Sequence, residues 1–157
     1  MADWIETFRG VVFPWNCDHY GHMNVRWYAH HFDDGGFHLW TLKGASQAAL
    51  RARNVNVVVA RITINYVREL KAGELFAILG GFVHIGNKSL RHFQWMFNAD
   101  TGVLSATQDT IEVFFDPATR ASAPMPADIR AALTAAVVPF DSEGKSPPPF
   151  ALPQALR

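Results

Sequence analysis

The densest group of chemically useful side chains lies in one polar segment near the start of the chain. Residues 15–24 read WNCDHYGHMN and include one carboxylic acid, two histidines and the single cysteine of the sequence. A carboxylate can attack an electrophilic carbon directly, or it can deprotonate a water molecule that attacks it. Asp18 is therefore the candidate catalytic residue. An aspartate in a polar loop often serves only in a turn or a cap, and the segment alone leaves that interpretation open.

The residues that follow have the period of a helix. Apolar side chains recur at spacings of three and four from Val25 onward, Asn24 is placed to cap the helix start, and Gly44 is placed to end it. A helix start presents unpaired N–H groups and a partial positive charge, which favour negative charge on a carbonyl oxygen. The polar segment and the helix together therefore indicate a site that acts on a carbonyl group.

Alternation of apolar and polar side chains predicts five strands, with short turns that suit antiparallel hairpins between the last three. They are residues 7–15, 60–66, 74–85, 90–98 and 103–115, with a helical turn at 47–53 after the long helix. The third strand is apolar on both faces, so we expect the helix on one face and another subunit or a second layer on the other. Gly35 and Gly36 inside the helix fit a close approach to a sheet. The predicted fold class is α+β.

The C-terminal part differs in composition from the rest. Residues 128–138 have the pattern of an amphipathic helix, and three consecutive prolines follow at 147–149. We therefore expect one domain over residues 1–138 and a Pro-rich, mobile tail over residues 139–157.

Composition excludes several classes of protein. The chain has 157 residues with 14 basic and 14 acidic side chains, so no overall positive field attracts nucleic acid or an anionic membrane. Cys17 cannot form an intramolecular disulfide, and no signal peptide or apolar run of membrane-spanning length is evident, so we expect a cytoplasmic protein. Aromatic residues make up 13%, a surplus that indicates a subunit interface or an apolar pocket.

The order of elements and several short motifs resemble the hotdog-fold acyl-CoA thioesterases of the 4-hydroxybenzoyl-CoA thioesterase type. The motifs are Asp-x-x-Gly-His-Met-Asn at 18–24, an aromatic-rich helix, Lys-Ala-Gly-Glu at 71–74 and Gly-Asn-Lys-Ser at 86–89. The resemblance covers about residues 8–126. It implies a long central helix wrapped by an antiparallel sheet of about five strands, a homodimer or homotetramer with sites between subunits, and hydrolysis of acyl-CoA without a cofactor.

The resemblance also implies roles for individual residues. Asp18 occupies the position of the family's catalytic carboxylate, and either direct attack or water activation fits it. The amides near Asn24 and Val25 would hold the thioester carbonyl, while His22 and Asn24 would shape the loop and orient the substrate. Further candidates for substrate binding, most of them for the CoA nucleotide, are Tyr28, Lys88, Ser89, Arg91 and Arg120, with Arg68 as a weaker one.

Three other chemical interpretations are weaker on the sequence alone. Asp33 and Asp34 offer carboxylates on the helix, where some similar thioesterases carry theirs. The histidines at 19, 22, 30 and 31 are not joined by the Cys or Glu residues that would complete a tetrahedral metal site, so no metal is expected. Cys17, at the end of a strand, is expected to be a small buried residue rather than a nucleophile.

Two other functions stay open at this stage. A hydratase or dehydratase of the same fold could use Asp18 and His22 to add water to a carbon–carbon double bond or remove it. A non-catalytic module could hold an acyl-CoA in the same pocket without cleaving it.

Overall fold

One antiparallel sheet supports almost all of the chain in the computed structural model, which describes residues 1–154. Its strands run in the order β1-β3-β4-β5-β2, and a short β6 pairs with the end of β5. The elements are β1 (Ile5–Val11), a 3-10 turn (Pro14–Asn16), α1 (Val25–Leu42), α2 (Gln47–Ala52), β2 (Asn56–Tyr66), β3 (Leu75–Ile85), β4 (Ser89–Asn98), β5 (Leu104–Asp116), β6 (Ala121–Ser122) and α3 (Ala127–Ala135). The predicted α+β fold is confirmed, and β6 is a strand that the sequence pattern did not indicate.

The long helix begins and ends where the sequence predicts. The side chain of Asn24 accepts a hydrogen bond from the Arg26 amide, and Gly44, with φ of +85°, follows the last turn. Over its 18 residues α1 is about 27 Å long, and it lies across the inner face of the sheet.

A close contact fixes α1 to the sheet. The Gln94 Nε2 atom on β4 donates to the Phe32 carbonyl oxygen at 2.8 Å. A Cβ atom built on Gly35 would lie 2.4 Å from Gln94 Oε1, whereas one built on Gly36 would meet nothing closer than 3.8 Å. Gly35 is therefore the glycine that the close approach requires.

The first strand is shorter than its sequence pattern predicts. Residues 12–15 continue the apolar character of β1, but the strand ends at Val11 and a 3-10 turn follows. The Asn16 Oδ1 atom accepts a hydrogen bond from the Phe13 amide, and Pro14 has no N–H to continue a ladder. The second strand begins at Asn56, four residues before the predicted start.

The second face of β3 is covered by residues of the same chain. A Cβ atom on Gly81 would lie within 3.1 Å of both Val138 and Trp4. In the tail, Phe140 lies against Phe93 with ring centroids 4.9 Å apart, and Phe150 stacks on Phe97 at 4.9 Å. The expected second layer is therefore the chain's own N-terminal and C-terminal residues. Mobility of the tail stays a prediction, and residues 155–157 of it lie outside the described residues.

The edge strand β2 has no strand beside it on its outer side among the described residues. Its exposed side chains include several large apolar ones, namely Val58, Val59, Ile62 and Tyr66. A long apolar edge strand is a site for pairing with another chain. Within residues 1–154, no helix has the length and apolar character needed to cross a membrane.

The two adjacent helix glycines give a test of how closely α1 meets the sheet. We expect Gly35→Ala to destabilise the fold by about 1–3 kcal/mol, because the new methyl group displaces the Gln94 amide. Gly36→Ala has room for its methyl group and should stabilise the helix by up to about 1 kcal/mol. Urea unfolding of both variants measures the difference, and an equal effect of the two changes would contradict this packing.

Candidate active site

The loop that carries Asp18 is held in a tight turn by its own backbone. The Asp18 amide donates to the His22 carbonyl at 2.9 Å, and the Gly21 amide donates to the Asp18 carbonyl at 3.0 Å. Gly21 has φ of +79°, a conformation that glycine adopts without strain. A bridge between Cys17 and Met23 and another between His22 and Lys71 tie the loop to the strand ends. The carboxylate thus stands on a fixed backbone.

The Asp18 side chain is half-buried, and only one of its two carboxylate oxygens forms a hydrogen bond within the loop. Its Oδ1 atom accepts a hydrogen bond from the Tyr20 amide at 2.9 Å. The Oδ2 atom has no hydrogen-bond partner among residues 1–154, so one carboxylate oxygen is available for chemistry. The Tyr20 bond fixes the orientation of the carboxylate as it would in a turn, which shows that the turn and catalytic interpretations are compatible.

The start of α1 lies next to this loop. The Asn24 amide donates to the Asn16 carbonyl at 2.8 Å, and the Asn24 side chain caps the Arg26 amide. The Val25 amide is the first of the helix, so any partner for it must come from outside the helix. The Val25 side chain is exposed, so the first turn of the helix lies at the protein surface.

Asp18, His22, Val25 and Tyr28 line one cavity of about 310 Å³ at the helix start. The Tyr28 hydroxyl accepts a hydrogen bond from the Leu70 amide at 3.2 Å, and burial raises the pKa of Tyr28 to about 12. Tyr28 therefore stays protonated at neutral pH and serves as a neutral wall, not as a base. The other residues that line this cavity come from the end of β2 and the turn after it, and from the loop: Tyr66, Val67, Arg68, Glu69 and Met23. Of these, the sequence analysis indicated only Arg68.

A second cavity, of about 130 Å³, continues along the same seam between α1 and β2. Asp33 lies on its helical side, whereas the Asp34 Oδ2 atom lies 3.4 Å from the His30 Nε2 atom. Its floor is polar. The buried or half-buried polar side chains that line it from β4 and β5 are His92, Gln108, Thr110 and Glu112. The alternation of Gln108, Thr110 and Glu112 on β5 is the sequence pattern that could have indicated this polar surface.

Two hydrogen bonds hold three side chains of the polar floor in place. The Trp40 Nε1 atom donates to Glu112 Oε2 at 2.8 Å, and Gln108 Nε2 donates to Thr110 Oγ1 at 3.1 Å. The His92 Nδ1 atom is buried and has no partner among the described residues. The cavity therefore offers both acceptors and donors to a bound group.

The predicted cation-binding residues lie elsewhere in the protomer. Lys88 and Ser89 lie at the β3–β4 hairpin and Arg120 lies beyond β5, whereas the Asp18 loop adjoins the opposite ends of these strands. Along the 11 residues of β3 this separation is roughly 30 Å. Arg91 makes two hydrogen bonds to the Asp109 carboxylate, at 2.7 and 3.0 Å. Of the basic candidates, only Arg68 shares a cavity with Asp18 in one protomer.

Known proteins of similar structure include several named as thioesterases and one solved in complex with CoA. A hypothetical protein of Staphylococcus aureus, solved in complex with CoA, is similar with a TM-score of 0.80 and 17% identity over 98% of both chains. A predicted thioesterase from Bacillus stearothermophilus has a TM-score of 0.68 and 27% identity over 85% of this chain and 98% of that chain. A 1,4-dihydroxy-2-naphthoyl-CoA thioesterase from Synechocystis has a TM-score of 0.72 and 12% identity, over 81% and 93%.

A family model supplies the sequence-level comparison. No curated protein matches the chain. The model of the thioesterase-like superfamily matches residues 12–133, which include the Asp18 loop, α1 and all of β2 to β6. The hotdog architecture expected from the motifs agrees with this match. The chain therefore belongs to the thioesterase-like superfamily, a family of thioester hydrolases.

Proposed function

We propose that the chain hydrolyses acyl-CoA thioesters and that Asp18 is the carboxylate that acts on the thioester carbonyl carbon. The observation that carries this proposal is the placement of a partly free carboxylate and a helix-start amide in one cavity. The family match supports thioester hydrolysis in general, and the CoA complex of the similar Staphylococcus aureus protein supports the choice of carrier.

The chemistry follows from the two groups. The Val25 amide donates a hydrogen bond to the carbonyl oxygen, and this bond strengthens as negative charge develops there. Asp18 either attacks the carbonyl carbon or takes a proton from a water molecule that attacks it. In both routes the C–S bond breaks and CoA leaves as its thiolate, which then takes up a proton. Water supplies the second oxygen of the free acid, directly or by hydrolysis of an acyl-aspartyl anhydride.

His22 and Asn24 act as positioning residues in this proposal. The His22 carbonyl accepts the Asp18 amide proton, and Asn24 fixes the first turn of the helix that presents the Val25 amide. Neither side chain is needed in the bond-breaking step.

Replacing Asp18 tests the catalytic assignment. In Asp18→Asn the side-chain oxygen can still accept the Tyr20 amide, so the loop is preserved while the charge is lost. We expect kcat for acyl-CoA hydrolysis to fall by a factor on the order of 10²–10⁴, with little change in KM. Asp33→Asn combined with Asp34→Asn is the control. Normal kcat in Asp18→Asn with loss in the double variant would move the carboxylate to the helix.

We propose further that two copies of the chain complete each site by pairing their β2 strands. Antiparallel pairing about a twofold axis brings the Asn56 end of one β2 next to the Tyr66 end of the other. The hairpin with Lys88 and the turn with Arg120 lie at the Asn56 end, because Asn56 pairs with Phe115. The two cations of one protomer would thus approach the Asp18 cavity of its partner and bind CoA phosphates there.

Mixed dimers test this arrangement. Sedimentation of the wild type should show a dimer or a larger assembly at micromolar concentration. We expect Lys88→Ala with Arg120→Ala to raise KM about tenfold and to leave kcat unchanged, since each exposed cation contributes at most about 1 kcal/mol. Co-expression with Asp18→Asn should create one intact site per mixed dimer, so kcat/KM rises well above the mean of the two parents.

The same mixed dimers also test the alternative that each site lies within one protomer. Activity equal to the mean of the parents would place Asp18 and the cations in one protomer and would direct attention to Arg68. Each parent co-expressed with a differently tagged copy of itself is the control for co-expression and tagging.

The polar floor of the second cavity indicates an acyl group that carries hydrogen-bonding substituents. A buried polar group left without a partner costs free energy, and an unsubstituted acyl group would leave the His92 Nδ1 atom of this floor without one. Hydroxylated aromatic acyl groups meet this requirement, and the similar Synechocystis enzyme is named for one. We therefore include such thioesters in the proposed substrate class.

A comparison of hydroxybenzoyl-CoA with benzoyl-CoA tests the acyl preference. We expect kcat/KM to be roughly tenfold higher for the better hydroxylated isomer, which corresponds to one hydrogen bond. Gln108→Leu should reduce this ratio toward one. Ser105→Ala changes a buried polar residue on the same strand that does not line the cavity and should leave the ratio unchanged. A ratio of one in the wild type would contradict the proposed acyl class.

A further inference from the structure

A second cluster of ligating side chains lies on the face of α1 that is turned toward β1. It consists of His30, His31 and Asp34, and one ligand atom from each lies within 4.8 Å of the other two. None of the three lines the Asp18 cavity or the cavity with the polar floor. The thioesterase proposal therefore assigns no role to this cluster.

The helix itself brings the three side chains together. His30 and Asp34 are four residues apart, and His31 and Asp34 are three apart, which are the spacings of neighbours on one helical face. The His30 Nε2 atom lies 3.4 Å from Asp34 Oδ2, and the two imidazole centroids are 5.2 Å apart. Asp34 thus lies within reach of both histidines.

His31 has an environment that its own protein contacts do not explain. Its ring lies 5.5 Å from Phe8 and 4.7 Å from Phe76, centroid to centroid. Both ring nitrogens are shielded from solvent and have no hydrogen-bond partner among the described residues. A neutral imidazole keeps one nitrogen lone pair that can bind a ligand. A phenylalanine side chain would fill this space without leaving ring nitrogens that lack hydrogen-bond partners.

We propose that His30, His31 and Asp34 bind a divalent first-row transition-metal ion, with Zn²⁺ as the best match, and that water takes the remaining position. Two imidazoles and one carboxylate are a donor set suited to Zn²⁺, and three protein ligands with an open position are common in zinc sites. His30 is exposed and can adjust its rotamer as the ion enters. The sequence-based expectation of no metal relied on a missing fourth ligand, which water supplies.

The apolar surroundings would strengthen the site. Phe8, Phe76 and Trp27 surround the His31 ring, with Trp27 at 6.1 Å. Such a shell restricts water around the ion and lowers the local dielectric, which strengthens the attraction between the ion and Asp34.

Titration of metal-free protein with Zn²⁺ tests this proposal. Calorimetry should show one ion per chain, and substitution with Co²⁺ should give the visible absorption of a low-coordinate nitrogen and oxygen site. We expect His30→Gln to weaken Zn²⁺ binding at least tenfold. His84→Gln removes an exposed histidine at the far end of the sheet and is the matched control, with no expected change.

A further variant separates ligation from packing. His31→Phe keeps a ring between Phe8 and Phe76, so we expect it to fold and to lose Zn²⁺ binding. Binding of equal strength in the wild type, His30→Gln and His31→Phe would overturn the proposal, and so would the absence of binding in the wild type. The proposal is independent of the thioesterase assignment, since acyl-CoA hydrolysis by His30→Gln is expected to match that of the wild type.

Discussion

Each functional position on α1 depends on one close contact between that helix and the sheet. The Gln94 amide reaches the Phe32 carbonyl at 2.8 Å because Gly35 has no side chain in the way. This bond fixes both the depth and the rotation of the helix. As a result, one side of α1 faces β2 and forms the seam of cavities, the other side faces β1, and the helix start stays beside the Asp18 loop.

The sheet has two surfaces that could associate, and the chain itself occupies one of them. Trp4, Phe140 and Phe150 lie over the outer face, where they join the cluster of Phe93, Trp95 and Phe97. The apolar edge of β2 is left exposed. In the proposed dimer this edge pairs with its copy, and such pairing reverses the direction of the second sheet. That reversal would allow the carboxylate of one protomer and the cations of the other to meet in the proposed site.

Local patterns were sufficient to predict α1, the Asp18 loop and the hairpins. The cap at Asn24, the period of the helix and Gly44 each depend on a few neighbouring residues. The end of β1 was predicted wrongly because Phe13 and Trp15 continue an alternating pattern, whereas the turn depends on the hydrogen bond from the Phe13 amide to Asn16. Contacts between residues far apart in sequence could not be predicted from these local patterns.

The tail and the cations illustrate that limit. Phe140 and Phe150 lie in a Pro-rich segment of low apolar content, and only the three-dimensional structure shows that Phe93 and Phe97 receive them. Similarly, Lys88 and Asp18 both lie in loops, and their separation depends on strand direction and register. Neither property can be read from one sequence at the residues concerned.

The inner core shows why a buried polar layer is tolerable in so small a domain. Two apolar clusters lie beneath α1, one around Phe32 and Phe76 and the other around Leu39 and Phe82. His92, Gln94, Gln108 and Thr110 lie on the strands between them and are almost fully buried. Because burial of apolar surface on both sides supplies the stability, the polar layer need not contribute to it. In the proposed function, the unpartnered His92 nitrogen has a free-energy cost that a bound acyl group would offset.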